Sequence, residues 1–260
     1  MARTTRTTRS ARAVLVGGAV VVLAVIATAC TASADDDEHP DRRSFALEGG
    51  TLTVDSDDSA LEIVASDDTG AGTVDVTRWF QGSVAVGKEP KVTWSMKDDR
   101  LTLRVRCSGV VADCAAKHRI EVPRGVAVKV GSDDGSVRAR GFRDALSVRT
   151  EDGSVHVTDS SGPLELRSDD GSVRAEVSSR TVTTRTQDGS VRLTLSAVPD
   201  RVESVSDDGS VTITLPAATY RVTTKTDDGA VDVSVPRDES SAHVVSARSA
   251  DGKVTLRNAN

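Results

Sequence analysis

From residue 128 onward, apolar and polar positions alternate in short runs, and the runs recur. An aliphatic residue stands at Val128, Leu146, Leu164, Val182, Val202, Val222 and Val245. Seven residues later there is always a glycine, and two after that a valine: Val137, Val155, Val173, Val191, Val211, Val231 and Val254. Two further on comes Ala139, Val157, Ala175, Leu193, Ile213, Val233 or Leu256, again small or apolar. The residues between these are mostly polar or charged: Arg138, His156, Arg174, Arg192, Thr212, Asp232 and Thr255. A period of two with many Val and Thr predicts β-strands that bury one face. Each unit reads strand, turn, strand, turn, with strands of about six residues and turns of about three.

The turns carry the most regular chemistry. Their glycines are Gly135, Gly153, Gly171, Gly189, Gly209, Gly229 and Gly252, at steps of 18, 18, 18, 20, 20 and 23 residues. Each is preceded by an aspartate: Asp134, Asp152, Asp170, Asp188, Asp208, Asp228 and Asp251. Three before each is a hydroxyl: Ser132, Thr150, Ser168, Thr186, Ser206, Thr226 and Ser249. Asp-Gly is a turn former, with glycine taking positive φ and the carboxylate accepting from nearby backbone N–H groups. A near-constant period predicts a repeat architecture.

Two all-β arrangements fit. In a β-solenoid, each unit of 18–20 residues is one two-strand coil and equivalent residues stack. In an antiparallel meander or sandwich, each Asp-Gly closes a hairpin. The solenoid is preferred, because stacking demands the same chemistry at the same place in every coil, with stability a nearest-neighbour sum. It also sets the aspartates about 4.8 Å apart, a like-charge ladder. Turn aspartates in water are the expected reading and calcium the lesser one, since a calcium β-roll carries its Gly and Asp in every nine residues. No cofactor and no metal site are expected.

Residues 1–29 read as a secretory signal. Arg3, Arg6, Arg9 and Arg12 precede an uncharged run from Ala13 to Ala29. The run ends at Cys30 in Ile26-Ala27-Thr28-Ala29-Cys30, similar to the lipobox of bacterial lipoproteins, which makes Cys30 the expected lipidation site. An uncleaved span is the alternative, at the short limit for crossing a bilayer. Either way the arginines stay inside and the rest lies outside. Residues 30–43, with Thr31 to Arg43 reading TASADDDEHPDRR, are expected to form an acidic tether. Residues 44–123 read as an irregular β part that caps the array at 124–260 and is continuous with it. Ser56-Asp57-Asp58-Ser59-Ala60-Leu61 looks like a worn copy of the repeat, and Lys97-Asp98-Asp99-Arg100 like a hairpin turn. Trp79 and Trp94 are read as core residues rather than a sugar-stacking platform. Cys107 and Cys114 form the expected disulfide of an exported chain.

A lipobox-like signal, a cysteine-bearing strand pair, Ile120, Val122, Pro123 and Gly125 in an I-x-V-P-x-G segment, and repeated Asp-Gly-Ser-Val strands resemble one bacterial family. It is the β-strand-repeat putative adhesin family of unknown function, akin to the head domains of auto-transporter adhesins. The resemblance covers about residues 44–260. It implies an exported, solenoid-like domain and transfers no catalytic residues.

Charge narrows the partners. The chain carries a formal charge of −6, and loss of the four arginines before Cys30 leaves 29 basic against 39 acidic residues. That balance argues against nucleic acid. The four histidines His39, His118, His156 and His243 are scattered, short turns leave no room for a cleft, and no nucleophile elbow, zinc motif or phosphate loop is present. A calcium-dependent polysaccharide-active enzyme is therefore the least expected reading. The expected role is a non-catalytic surface lipoprotein, held to the membrane by its lipid, that binds an envelope protein or glycan through Arg138, Arg174 and Arg192. The alternative is a structural or envelope-stress component working through a membrane partner. The C-terminal end, near Asn258 to Asn260, reads as an uncapped edge open to dimerisation.

Overall fold

The computed structural model describes residues 33–259. A short 3-10 turn, Ala34–Asp36, leads into β1 (Asp41–Ala46). Then come β2 (Thr51–Ser56), β3 (Ala60–Ser66), the long β4 (Thr73–Gly87), β5 (Lys91–Lys97), β6 (Arg100–Arg106) and the long β7 (Gly109–Pro123). The repeats supply strands in pairs: β8 (Ala127–Ser132) with β9 (Val137–Arg140), β10 (Leu146–Thr150) with β11 (Val155–Thr158), and β12 (Leu164–Ser168) with β13 (Val173–Val177). They continue as β14 (Thr181–Thr186) with β15 (Val191–Leu195), β16 (Arg201–Ser206) with β17 (Val211–Leu215), β18 (Arg221–Thr226) with β19 (Val231–Val233), and β20 (Val244–Ser249) with β21 (Val254–Asn258).

The first strand of each pair lies in one sheet and the second in a facing sheet, so a pair is one rung of a two-sided solenoid. Repeat strands pair only in parallel and in register. Val128 lies against Leu146 and Leu146 against Leu164, and Val137 lies against Val155 and Val155 against Val173. Parallel pairing rules out the hairpin arrangement for the repeats. Antiparallel pairing among the described residues is confined to β1–β4–β7 and β5–β6 at one end. The inward columns make the core: Val137, Val155, Val173, Val191, Val211 and Val254 are all 1% exposed or less.

Rungs do not stack in chain order. The ten-strand sheet runs β18-β20-β16-β14-β12-β10-β8-β2-β6-β5, and the eleven-strand sheet β1-β4-β7-β3-β9-β11-β13-β15-β17-β21-β19. Among the described residues this makes nine parallel rungs. The worn copy at Ser56 is a full rung, β2–β3, with Ser56 beside Ser132. The chain leaves it, builds β4, β5 and β6–β7 on its outer side, and returns to β8 on its inner side. The C-terminal end repeats the manoeuvre, because β20–β21 slots between β16–β17 and β18–β19. The 23-residue last step is the chain needed to double back past an already placed rung. The open end is therefore the Arg221–Val233 rung, and the segment near Asn258, expected at the edge, is interior.

The acidic tether is shorter than residues 30–43. Ser33 caps the 3-10 turn, Ala34 is buried, and Lys117 pairs with Asp35 at 2.7 Å. The Phe80 N–H donates to Asp37 at 3.0 Å, and β1 begins at Asp41. Asp35 and Asp37 thus reach a cation and a backbone amide of the domain, while Asp36 and Glu38 stay exposed to water. The signal segment and Cys30 lie outside the described residues. Within those described, no helix is long and apolar enough to cross a membrane.

Candidate functional surface

The Asp-Gly turn turns out to be a stacking device. None of the seven repeat glycines has positive φ. What each needs is the absence of a Cβ. One added at Gly153 would lie 2.2 Å from the Gly135 carbonyl oxygen, and at Gly171, Gly189, Gly209, Gly252 and Gly229 the same clash recurs at 2.1–2.2 Å with the neighbouring glycine. Gly135 meets the Ser59 carbonyl at 1.9 Å. The buried hydroxyl three residues earlier ties the column together. Gly171 N–H donates to Ser168 Oγ at 2.9 Å, and that hydroxyl donates to the Gly153 carbonyl at 3.0 Å. Ser206 and Ser249 do the same toward Gly189 and Gly209. Outside this column the turn backbones also join, with Asp170 N–H donating to the Glu151 carbonyl at 2.9 Å and Asp208 N–H to that of Gln187 at 2.9 Å.

The carboxylates of Asp134, Asp152, Asp170, Asp188, Asp208, Asp228 and Asp251 all belong to exposed residues, so water screens the like-charge ladder. Crowding shows where the first rung meets the second. Partial burial, and then the charge of Asp134, push the Asp58 carboxyl above its usual range. Among the described residues no group of three or more His, Cys, Asp or Glu is placed to hold a metal.

Cations line both outer faces. On the eleven-strand sheet, Arg138, His156, Arg174 and Arg192 occupy successive rungs, so His156 stands between the first two arginines of the expected set. Shallow grooves run beside them, one between Ser172, Ser190 and Ser210 and the Arg174–Arg192 pair. Arg174 is held by Glu176, which lowers the Glu176 carboxyl through that hydrogen bond. Arg138 and Arg192 carry no ion pair among the described residues. The ten-strand sheet carries a column of its own, Arg149, Arg167 and Arg185, outside the expected set. Its signal was present in sequence, four residues before the glycines of three successive turns, Gly153, Gly171 and Gly189.

The irregular end holds the remaining candidates. Cys107 and Cys114 are disulfide-bonded, with Cα atoms 6.1 Å apart, near the tip of the antiparallel β4–β7 pair. Val86, Val110 and Val111 are exposed at that tip. Trp94 packs on the core, 6.2 Å from Phe45 and with the Arg78 guanidinium 4.5 Å from its ring. Trp79 departs from the core reading. It faces outward beneath Lys117 and lines an open groove with Arg42, Arg43 and Arg119. His118 is fully buried beside Trp94, and neither ring nitrogen finds a partner among the described residues. Burial, and secondarily the Arg78 charge, push it down to about 4.

Residues 28–260 match the family described as Toastrack DUF4097. The chain belongs to that family. Its two facing parallel sheets, rung upon rung, are the Toastrack architecture as this sequence builds it. Similar solved structures include a putative adhesin from Bacteroides fragilis, at 16% identity and TM-score 0.47 over 86% of this chain and 98% of that one. A putative cell adhesion protein from Clostridium sporogenes is similar at 11% identity and TM-score 0.33, over 85% and 100% of the two chains. A putative adhesin from Parabacteroides merdae is similar at 11% and 0.32, over 86% and 97%. No curated protein matches this Toastrack chain.

Proposed function

We propose that the chain is exported, lipid-anchored through Cys30, and acts on the outer face of the cell membrane by binding rather than by catalysis. Its ligand is an extended anionic glycopolymer laid along an arginine-bearing face, a contact local to that face because the chain as a whole is acidic. One observation carries this reading: arginines recur along one column at Arg138, Arg174 and Arg192, with His156 between the first two, and once per rung at Arg149, Arg167 and Arg185. Rungs about 4.8 Å apart make a linear array of guanidinium groups, each suited to carboxylate or phosphate. Charged groups spread along a face rather than converging on one point suit a long ligand more than a reacting bond. Four residue steps separate Cys30 from docked Ala34, at most about 14 Å of chain, so the anchor holds the irregular end close to the lipid.

The binding test uses purified residues 32–260, which form one compact unit, and polyglycerol phosphate as the probe. Saturable, salt-sensitive binding that drops at least about tenfold in the Arg138→Ser/Arg174→Ser/Arg192→Ser variant supports the reading. Binding that ignores the substitutions sinks it. The anchor is tested separately, by the mass of the protein from membranes with and without Cys30→Ser.

A further inference from the structure

The two ends of the stack are finished differently. At the irregular end the outermost strands are β1 and β5, and both are basic: Arg42 and Arg43 on one, Lys91 and Lys97 on the other, all exposed. Cations on an edge strand discourage pairing with another chain. At the opposite end β18 and β19 have a neighbour on one side only. Inner side chains that are sealed in every other rung are uncovered there, with Val231 46% exposed and Val222, Thr224, Thr226 and Val233 half-buried. This edge has opposite charges on its two strands, Arg221 and Lys225 on β18 against Asp232 on β19.

The open edge matches a second copy of itself. β18 and β19 are joined by the four residues 227–230, so Thr226 and Val231, Lys225 and Asp232, and Thr224 and Val233 stand at equal heights along the strands. A two-fold axis parallel to the strands keeps each residue at its height. It carries β18 of one copy next to β19 of the other, running antiparallel. Backbone direction agrees. Arg221 N–H donates to His243 within the sheet and Ser234 N–H to Leu256, so Val222, Thr224, Thr226, Val231 and Val233 turn their peptide groups outward. Thr226–Val231 and Thr224–Val233 become the hydrogen-bonded pairs. Lys225 and Asp232 become the non-hydrogen-bonded pair, where side chains come closest. The contact occurs twice by symmetry. It stops before Tyr220, whose outer peptide groups already bond to the Pro236 and Asp238 backbone.

We propose that the Arg221–Val233 rung is a homophilic docking edge, where two copies join end to end by antiparallel pairing of β18 with β19 and exchange the Lys225–Asp232 ion pair. In each copy alone these side chains hold exposed local partners, Asp227 at 2.8 Å and Lys253 at 3.6 Å, which are worth little in water. The alternative two-fold, normal to the sheets, would set β18 on β18 and β19 on β19 and oppose like charges. The joined pair is a continuous stack roughly 95 Å long with both irregular ends outermost. If Cys30 is lipidated as proposed above, the two anchors point away from each other and the contact joins two surfaces. That consequence rests on the anchor reading; the pairing does not.

Sedimentation equilibrium on residues 32–260 tests it, with variants at the edge and at the opposite end. A concentration-dependent dimer is expected. Lys225→Asp and Asp232→Lys should each weaken it at least about tenfold, counting two contacts per dimer. The double exchange Lys225→Asp/Asp232→Lys should restore it, and Arg43→Asp should leave it unchanged. A monomer up to millimolar concentration overturns the proposal and leaves the edge to a partner of other sequence. A dimer indifferent to both single variants, or strengthened by either, overturns it too, because the contact would then lie elsewhere or pair like with like. The lipid mass of the Cys30 test is unaffected by any of these outcomes.

Discussion

The repeat rungs and the irregular end solve one problem with different means. Both must stack a two-stranded rung on its neighbour and seal the core. The repeats do it with identical positions: a column of glycines close enough for backbone contact, a buried hydroxyl bonding both up and down, and inward valines. The irregular end has no neighbour to copy. It uses long antiparallel strands, a cystine, an Asp98-Asp99 hairpin turn with both residues at positive φ, and packed aromatics around a buried histidine. Asp99 there accepts from the Glu48 and Gly49 N–H groups at 2.8 Å each, fastening a loop that no repeat supplies. Regularity makes any one position in the repeats intolerant. Irregularity concentrates stability in a few unusual contacts.

The sharpest way to break the contrast is at one repeat position in both regions. Gly171→Ala would place a Cβ 2.2 Å from the Gly153 carbonyl oxygen and 2.7 Å from the Ser168 hydroxyl, which is itself held by hydrogen bonds to both glycines. It should cost more than about 4 kcal/mol in urea unfolding. Ser59 stands at the equivalent place in the β2–β3 rung and already carries a Cβ, because no repeat turn lies beneath it. Its hydroxyl is buried without a partner among the described residues. Ser59→Ala should therefore be neutral or stabilise by about 1 kcal/mol, the smallest effect expected here, and a loss would show that the hydroxyl is satisfied.

Between these extremes lie two effects confined to the irregular end. His118 in the folded chain sits at about 4, below its ordinary 6.5. The folded state then binds the proton less well than the unfolded one. The associated stability is complete above pH 6.5, falls as the pH drops, and is gone below about 4. Acidification from pH 7 should cost about 2 kcal/mol by pH 5 and about 3 by pH 4 through this residue. His118→Leu should flatten that part of the pH profile; an unchanged slope would assign it to other groups. Opening the Cys107–Cys114 bond comes next, at about 2.5 kcal/mol for so short a loop. Amide exchange should show the loss spreading from β4 and β7 and leaving β12 to β17 protected, since rungs couple mainly to their neighbours.

The repeat was legible because the same sites recur at a fixed offset. The hydroxyl, Asp-Gly and valine columns, the parallel stack and the cystine could all be read from the chain. Two readings of the repeat needed the structure. The glycines looked like turn formers with positive φ, yet their role is close approach between rungs, which one unit cannot display. The arginines of the ten-strand sheet sit at a repeat position that also holds Gly131 and Val205, so the column fades when copies are compared across the whole array.

Periodic burial and turn chemistry are local properties, and sequence alone determined them here: which faces of the strands point inward, where the rungs bend, and that the rungs are alike. Sequence did not determine the order in which they stack. Identical rungs offer identical mating surfaces, so a rung accepts the next copy or a later one equally well. The decision falls to the connections. The loop from Ser234 to His243 and the stretch that holds β4 and β5 are long enough to carry the chain past a rung and back. Tertiary packing thereby placed Val254–Asn258 inside the stack and left Arg221–Val233 as its edge.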